Sequence, residues 1–198
     1  MISRPMISYG RQSVDQSDID AVIDVLRGNR LTQGPAIELF EEKLAEKVGA
    51  KYAVAVSSGT AALHIACLAA GLENGDHGIT SALTFVASAN AMRYCGAEVS
   101  LTDIDSESLG MDVKSLKDCL IERPESKVVI PVSFAGLAHK MADIRSVAKN
   151  KIVIEDASHS LGGFYEDGSK IGCCKYSDMA VFSFHPVKQI TTGEGGVV

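Results

Sequence analysis

The feature that most restricts the fold of this sequence is an alternation. Short runs of apolar β-formers recur at YAVAV (52–56), GITSA (78–82), AEVSLTDI (97–104), KVVIPV (127–132) and KIVIED (151–156). Between successive runs lies one stretch with helical spacing: TAALHIACLAAG, FVASANAMRYCG, DVKSLKDCLIE and ADIRSVAKN. Runs this short and this apolar read as strands covered on both faces. A helix between consecutive strands makes them parallel neighbours joined by right-handed crossovers. The expectation is an α/β chain with a mainly parallel central sheet and helices on both faces.

Two more amphipathic stretches precede the alternation. SDIDAVIDVLRG sets Ile19, Val22, Ile23 and Leu26 on one face, with Asp15 or Ser17 as N-cap and Gly28 as the stop. PAIELFEEKLAEKVG puts Pro35 in a first helical turn and ends at Gly49. Beyond Ser160 the rhythm shortens. GGFYEDGSKIG predicts a hairpin around Asp167-Gly168, and DMAVFSF predicts another strand. The closing GGVV reads as a strand with an open edge. No repeat, low-complexity run or linker divides residues 1–198, so a single domain is expected.

Several function classes are disfavoured. The net charge is −6 and the basic residues form no stripe, which argues against a nucleic-acid partner. The five cysteines include no C-x-x-C pair, so no metal site is expected, and reduced thiols suit a cytoplasmic location. No signal-type segment opens the chain, and no apolar run reaches membrane-spanning length, so no membrane partner is expected.

In a sheet of this kind ligands bind at the carboxyl ends of the strands, so the strand exits carry the chemistry. VSSGTAALHIA is a strand exit, a small-residue turn and a helix start. Ser57, Ser58, Gly59 and Thr60 leave free N–H groups at the positive end of the helix dipole, which suits a phosphate; a simple capped turn reads the same way. Neither G-x-x-x-x-G-K-[ST] nor G-x-G-x-x-G occurs, which removes the main support for P-loop and dinucleotide readings. KIVIEDASHSLGG ends an apolar run in Glu155-Asp156, with His159 three residues on. A carboxylate at a buried strand tip needs a partner. A protonated ring nitrogen is one, and a cap for the next segment is the alternative. In SFHPVKQITTGEGG (183–196), Lys188 follows an apolar strand and a His-Pro turn, within reach of the other two loops. A nucleophilic lysine must be partly unprotonated, which burial achieves.

The motifs SSGTAAL, TFVASANAM, IEDASHSLG, SDMAVFSFHPVK and ITTGEGG together resemble the DegT/DnrJ/EryC sugar aminotransferases, over essentially the whole chain. That family has the fold-type I architecture and uses pyridoxal 5′-phosphate. The resemblance implies that Lys188 is the catalytic residue, carrying the cofactor as a Schiff base and then acting as general base. It implies that Asp156 pairs with the pyridinium nitrogen and His159 lies near the ring hydroxyl. Gly59, Thr60, Ala61 and Ser183 correspond to phosphate contacts, and Phe85 to the aromatic residue stacked on the ring. Tyr9, Asn29, Arg30, Leu31 and Thr32 correspond to positions near a nucleotide-sugar pocket.

Within the family, YGRQSVDQSDIDAVIDVL, LTQGP, VSFAGL and FHPVKQITTGEGG imply a narrower activity. It is transfer of an amino group from L-glutamate to C4 of a UDP-linked 4-keto-6-deoxy-N-acetylhexosamine, as in biosynthesis of pseudaminic-acid-type sugars. Family members are homodimers of nearly twice this length. The resemblance therefore implies an incomplete large domain over residues 1–198, without the small C-terminal domain and inactive by itself. Related sugar dehydratases replace the lysine with histidine, and Lys188 speaks against that reaction. Another nucleotide-linked keto-sugar, or a non-catalytic module of the same fold, are the remaining readings.

Overall fold

Helix starts in this chain are set by their caps. Asp15 Oδ1 accepts from the Ser17 and Asp18 N–H groups at 2.8 and 3.2 Å, and Asp18 Oδ2 accepts from Asp15 N at 3.0 Å. This reciprocal box opens α1 (Gln16–Arg27), which Gly28 ends. Pro35 opens α2 (Pro35–Val48), and Gly49 closes it at φ 82°, a left-handed conformation that favours glycine. The computed structural model describes residues 10–137 and 139–198. Tyr9 lies outside the described residues.

The alternation then unfolds as expected. In chain order come β1 (Ala55–Val56), α3 (Gly59–Ala69), β2 (His77–Ser81), α4 (Ala87–Tyr94), β3 (Glu98–Thr102) and α5 (Val113–Glu122). After them come β4 (Val128–Ile130), α6 (Met141–Val147), β5 (Ile152–Asp156), β6 (Met179–Ser183) and β7 (Gly196–Val197). The sheet order is β1-β7-β6-β5-β4-β2-β3. From β3 through β2, β4 and β5 to β6 all neighbours are parallel, and β7 runs antiparallel to both β6 and β1. The fold is thus α/β with a mainly parallel sheet.

Alternation along the strands divides the core in two. One cluster joins Val128, Ile130, Ile154 and Val181 to Ala62, Leu63, Ala91 and Met92 of α3 and α4. The other joins Val129, Val153 and Phe182 to Leu44, Leu116 and Ile144 of α2, α5 and α6. Leu63, Leu116 and Ile144 are essentially inaccessible, and burying each contributes about 1.5–3 kcal/mol. On β5, Ile154 and Asp156 point towards α3 and α4, while Val153 and Glu155 point the other way. Glu155 is wholly buried there. It accepts from Ser133 Oγ at 2.9 Å and from the Tyr165 hydroxyl. Burial pushes its pKa up, and the two hydroxyl donors pull it part of the way back.

Two expectations are modified. GGVV has no open edge, because β1 pairs outside β7 and leaves Val197 only 2 % exposed. The hairpin over 162–172 shrinks to one antiparallel bridge, Phe164 to Lys170. Asp167 instead ties the turn together, accepting from Ser169 N and from the Lys175 and Tyr176 side chains, and such local bonds compete with a strand ladder. Among the described residues nothing covers the apolar face of α1: Ile19, Val22 and Leu26 are 44, 59 and 63 % exposed, and no residue of the helix is buried.

His139 has a measurable consequence. Its ring packs on Gly110, where an added Cβ would come within 2.4 Å of the histidine Cβ. Neither ring nitrogen has a partner of hydrogen-bonding geometry among the described residues. Burial lowers its pKa to about 4 from 6.5, with a weak opposing pull from the Val132 backbone. The unfolded chain therefore binds this proton at a higher pH than the folded chain does. The associated stability is complete above pH 6.5 and is lost as pH falls towards 4, to the extent of about 3 kcal/mol. Urea unfolding between pH 7.5 and pH 4.5 should show this loss, and His139→Phe should flatten it. An unchanged pH slope in the variant would remove His139 as its source.

Candidate active site

The exits of β1, β2, β4, β5 and β6 meet around one cavity of about 510 Å³. At one end stands the start of α3. Ser58 caps this helix, its Oγ accepting from Ala61 N at 3.1 Å and its carbonyl from Ala62 N at 2.9 Å. The Gly59 and Thr60 N–H groups are left without an acceptor among the described residues. Ser183, at the end of β6, closes the cradle. A Cβ on Gly59 would sit 2.8 Å from Ser183 Cβ, so only glycine lets helix and strand approach this closely. Two free backbone donors, a hydroxyl and a helix dipole form an anion site without a basic side chain.

Asp156 lies in the cavity wall, 5 % exposed, at the tip of β5. Its Oδ2 accepts from Ser88 Oγ at 2.6 Å and its Oδ1 from Ser158 N at 3.2 Å. Each oxygen retains acceptor capacity for a donor placed in the cavity. His159 stands beside it, and its Nδ1 accepts from Ala135 N at 3.3 Å. The neutral ring therefore carries its proton on Nε2, as a donor. Burial lowers the His159 pKa, the Lys188 charge lowers it further and Asp156 raises it. Phe134 packs at a tilt on this ring, centroids 5.8 Å apart.

Lys188 is half-buried on the loop after β6. Its amine makes no salt bridge among the described residues. Burial lowers its pKa, against an upward pull from Asp156. The turn before it is fixed by Lys188 N donating to the His185 carbonyl at 2.9 Å, and Gln189 Nε2 ties the loop to the His159 carbonyl. Phe85 is 68 % exposed on the cavity wall, which excludes a core role and leaves an aromatic face for a planar ligand.

The structure thus brings Gly59, Thr60, Phe85, Asp156, His159, Ser183 and Lys188 to one cavity. It does not bring every expected residue there. Ala61 is off the wall, its N–H already bonded to Ser58. Asn29, Arg30, Leu31 and Thr32 are exposed in the α1–α2 connection, away from the cavity. Conversely, Thr84, Ser133, Phe134, His185 and Glu194 line it without having been singled out. Their signal was available: each lies within two residues of a motif residue or at the exit of a predicted strand.

The donor set suits one group. An anion cradle, an acceptor for a protonated ring nitrogen, an aromatic face and an uncharged-leaning amine match the phosphate, pyridine, ring plane and aldehyde of pyridoxal phosphate. With this sheet order, the fold is that of the fold-type I pyridoxal-phosphate aminotransferases. The chain belongs to the DegT/DnrJ/EryC1/StrS aminotransferase family, which it matches over residues 12–198. It is 42 % identical over 196 residues to the UDP-4-amino-4,6-dideoxy-N-acetyl-beta-L-altrosamine transaminase of Campylobacter jejuni, covering 98 % of this chain and 51 % of that one. It is 36 % identical over 200 residues to the UDP-4-amino-4-deoxy-L-arabinose–oxoglutarate aminotransferase of Shewanella sediminis, covering 99 % and 50 %. Among solved structures, Spr1654 of Streptococcus pneumoniae, named as a sugar aminotransferase and solved in its PLP form, superposes with a TM-score of 0.90. It is 28 % identical, with 96 % of this chain and 52 % of that one covered. The chain spans about half the length of the curated relatives it matches.

Proposed function

We propose that residues 1–198 form the cofactor-binding large domain of a pyridoxal-phosphate-dependent sugar aminotransferase. The observation that carries this reading is the half-buried Lys188 amine, sharing one cavity with the buried Asp156 carboxylate and the free N–H groups of α3. Bound pyridoxal phosphate supplies an aldehyde that condenses with amines and a ring that accepts an electron pair. Gly59, Thr60 and Ser183 would hold its phosphate, and Phe85 would lie against the ring. Asp156 would accept the ring N–H and favour the proton there, and His159 would offer its Nε2–H as a donor in the same cavity. Lys188 would hold the aldehyde and would carry a proton at its Nζ. Burial lowers the Lys188 pKa, which raises the share of neutral amine that both tasks need.

The amino donor is L-glutamate, and the acceptor is C4 of a UDP-linked 4-keto-6-deoxy-N-acetylhexosamine. The Campylobacter jejuni relative, whose name specifies a UDP-linked 4-amino-4,6-dideoxy sugar, supports this choice. The enzyme works as a homodimer, a reading favoured by the uncovered apolar face of α1. Five unpaired cysteines favour the reducing cytoplasm. No helix among the described residues is long and apolar enough to cross a membrane.

The test is an amination assay of the full-length protein against UDP- and dTDP-linked keto-sugars, with glutamate as donor. The expected outcome is 2-oxoglutarate release and a 4-amino product from the UDP-linked N-acetylated 4-keto sugar alone. Preference for a dTDP-sugar would replace the acceptor. No amination of any keto-sugar by cofactor-loaded protein would sink the reading.

A further inference from the structure

Ser88 is inaccessible to solvent, inside the first turn of α4, and it does not line the cavity. Its hydroxyl nevertheless makes the shortest contact to the Asp156 carboxylate, 2.6 Å to Oδ2. A carboxylate only accepts, so the Ser88 proton points to Asp156. The distance falls within the short range of hydroxyl–carboxylate bonds. The Ser88 oxygen can then accept, and Thr84 Oγ1 lies 2.7 Å from it. Thr84 has a competing acceptor, the Phe85 carbonyl at 3.0 Å, but its single proton serves one of the two. With the Ser88 proton on Asp156, only the Thr84 proton can bridge the Thr84–Ser88 contact, which gives a chain from Thr84 through Ser88 to Asp156.

The structure assigns Ser88 the role of positioning residue for Asp156. Ser88 on Oδ2 and the Ser158 N–H on Oδ1 fix the carboxyl plane from two sides, so that its free acceptor sites face the cavity. Ser88 touches nothing bound there and acts only through Asp156. This inference rests on Asp156 being the partner of the ring nitrogen.

The test titrates full-length, cofactor-free protein with pyridoxal 5′-phosphate, followed by the visible absorbance band between pH 6 and 9. Ser88→Ala is expected to weaken binding about tenfold, the usual loss for a bond to a charged acceptor, and to displace the pH dependence of the band. Thr84→Val should act in the same direction but less. In an Asp156→Ala background, Ser88→Ala should change affinity by less than about twofold, because its only route is gone. Wild-type affinity and band in Ser88→Ala would overturn the assignment, and so would a full additional loss in the Asp156→Ala background. If Ser88→Ala does not fold, Thr84→Val decides, and its unchanged titration overturns the proposal. Absence of cofactor uptake by the wild-type protein would sink the functional reading instead. The Ser88/Asp156 cycle in urea unfolding then decides the contact, with zero coupling overturning it.

Discussion

Lys188→Ala is expected to abolish the covalent cofactor adduct trapped by borohydride and to reduce transamination by about 10⁴-fold or more. Positioned proton transfer alone is worth roughly 10²–10⁴-fold, and this substitution also removes the tether. The fold should persist, because Lys188 sits on a loop, half-buried, with no salt bridge to lose among the described residues. In the unsubstituted protein, capture of the aldehyde should rise with pH through a pKa below the ordinary lysine range, since only the neutral amine attacks and burial favours it. Mass spectrometry after reduction distinguishes the outcomes. An adduct surviving on another lysine would displace Lys188 from its role.

Asp156→Asn should separate binding from chemistry. The amide has the shape of the carboxylate and can still accept from Ser88, so cofactor affinity should fall by about tenfold, no less than in Ser88→Ala. It lacks the charge that holds a proton on a ring nitrogen, and one of its two ends presents N–H where an acceptor is needed. Single-turnover transamination should drop by about 10²–10³-fold, the scale for losing a preorganised electrostatic partner. Near-normal turnover would reduce Asp156 to a structural group.

The strand exits were legible because chemistry there contradicts its surroundings. Asp156 closes an apolar run and Lys188 follows one, and such residues need a reason. Ser88 gave no such contrast. In ASANAM it resembles any small residue on a packed helix, and its partner is 68 positions away. Helical periodicity correctly placed an apolar face on α1, but it states only that a face is apolar, not what covers it. The antiparallel insertion of β7 between β1 and β6 was equally hidden, since a two-residue strand carries no direction in its composition. Asn29 to Thr32 entered by resemblance alone, and the local geometry of the exposed α1–α2 connection offers them no cavity.

Glu155 and Asp156 are adjacent in sequence, yet they face opposite layers of the sheet. One is braced by Ser133 and Tyr165 in a sealed core, and the other lines the cavity that Lys188 and the start of α3 share. Their fates are assigned by parity, by whether a residue number is odd or even along β5. A one-residue slip would exchange them, presenting the longer glutamate to the cavity and leaving the shorter aspartate on the side of Ser133 and Tyr165. The aliphatic residues flanking them, Val153 and Ile154, belong to different cores, so both layers oppose the slip. Packing far from any ligand thereby acts as the reading frame of the active site.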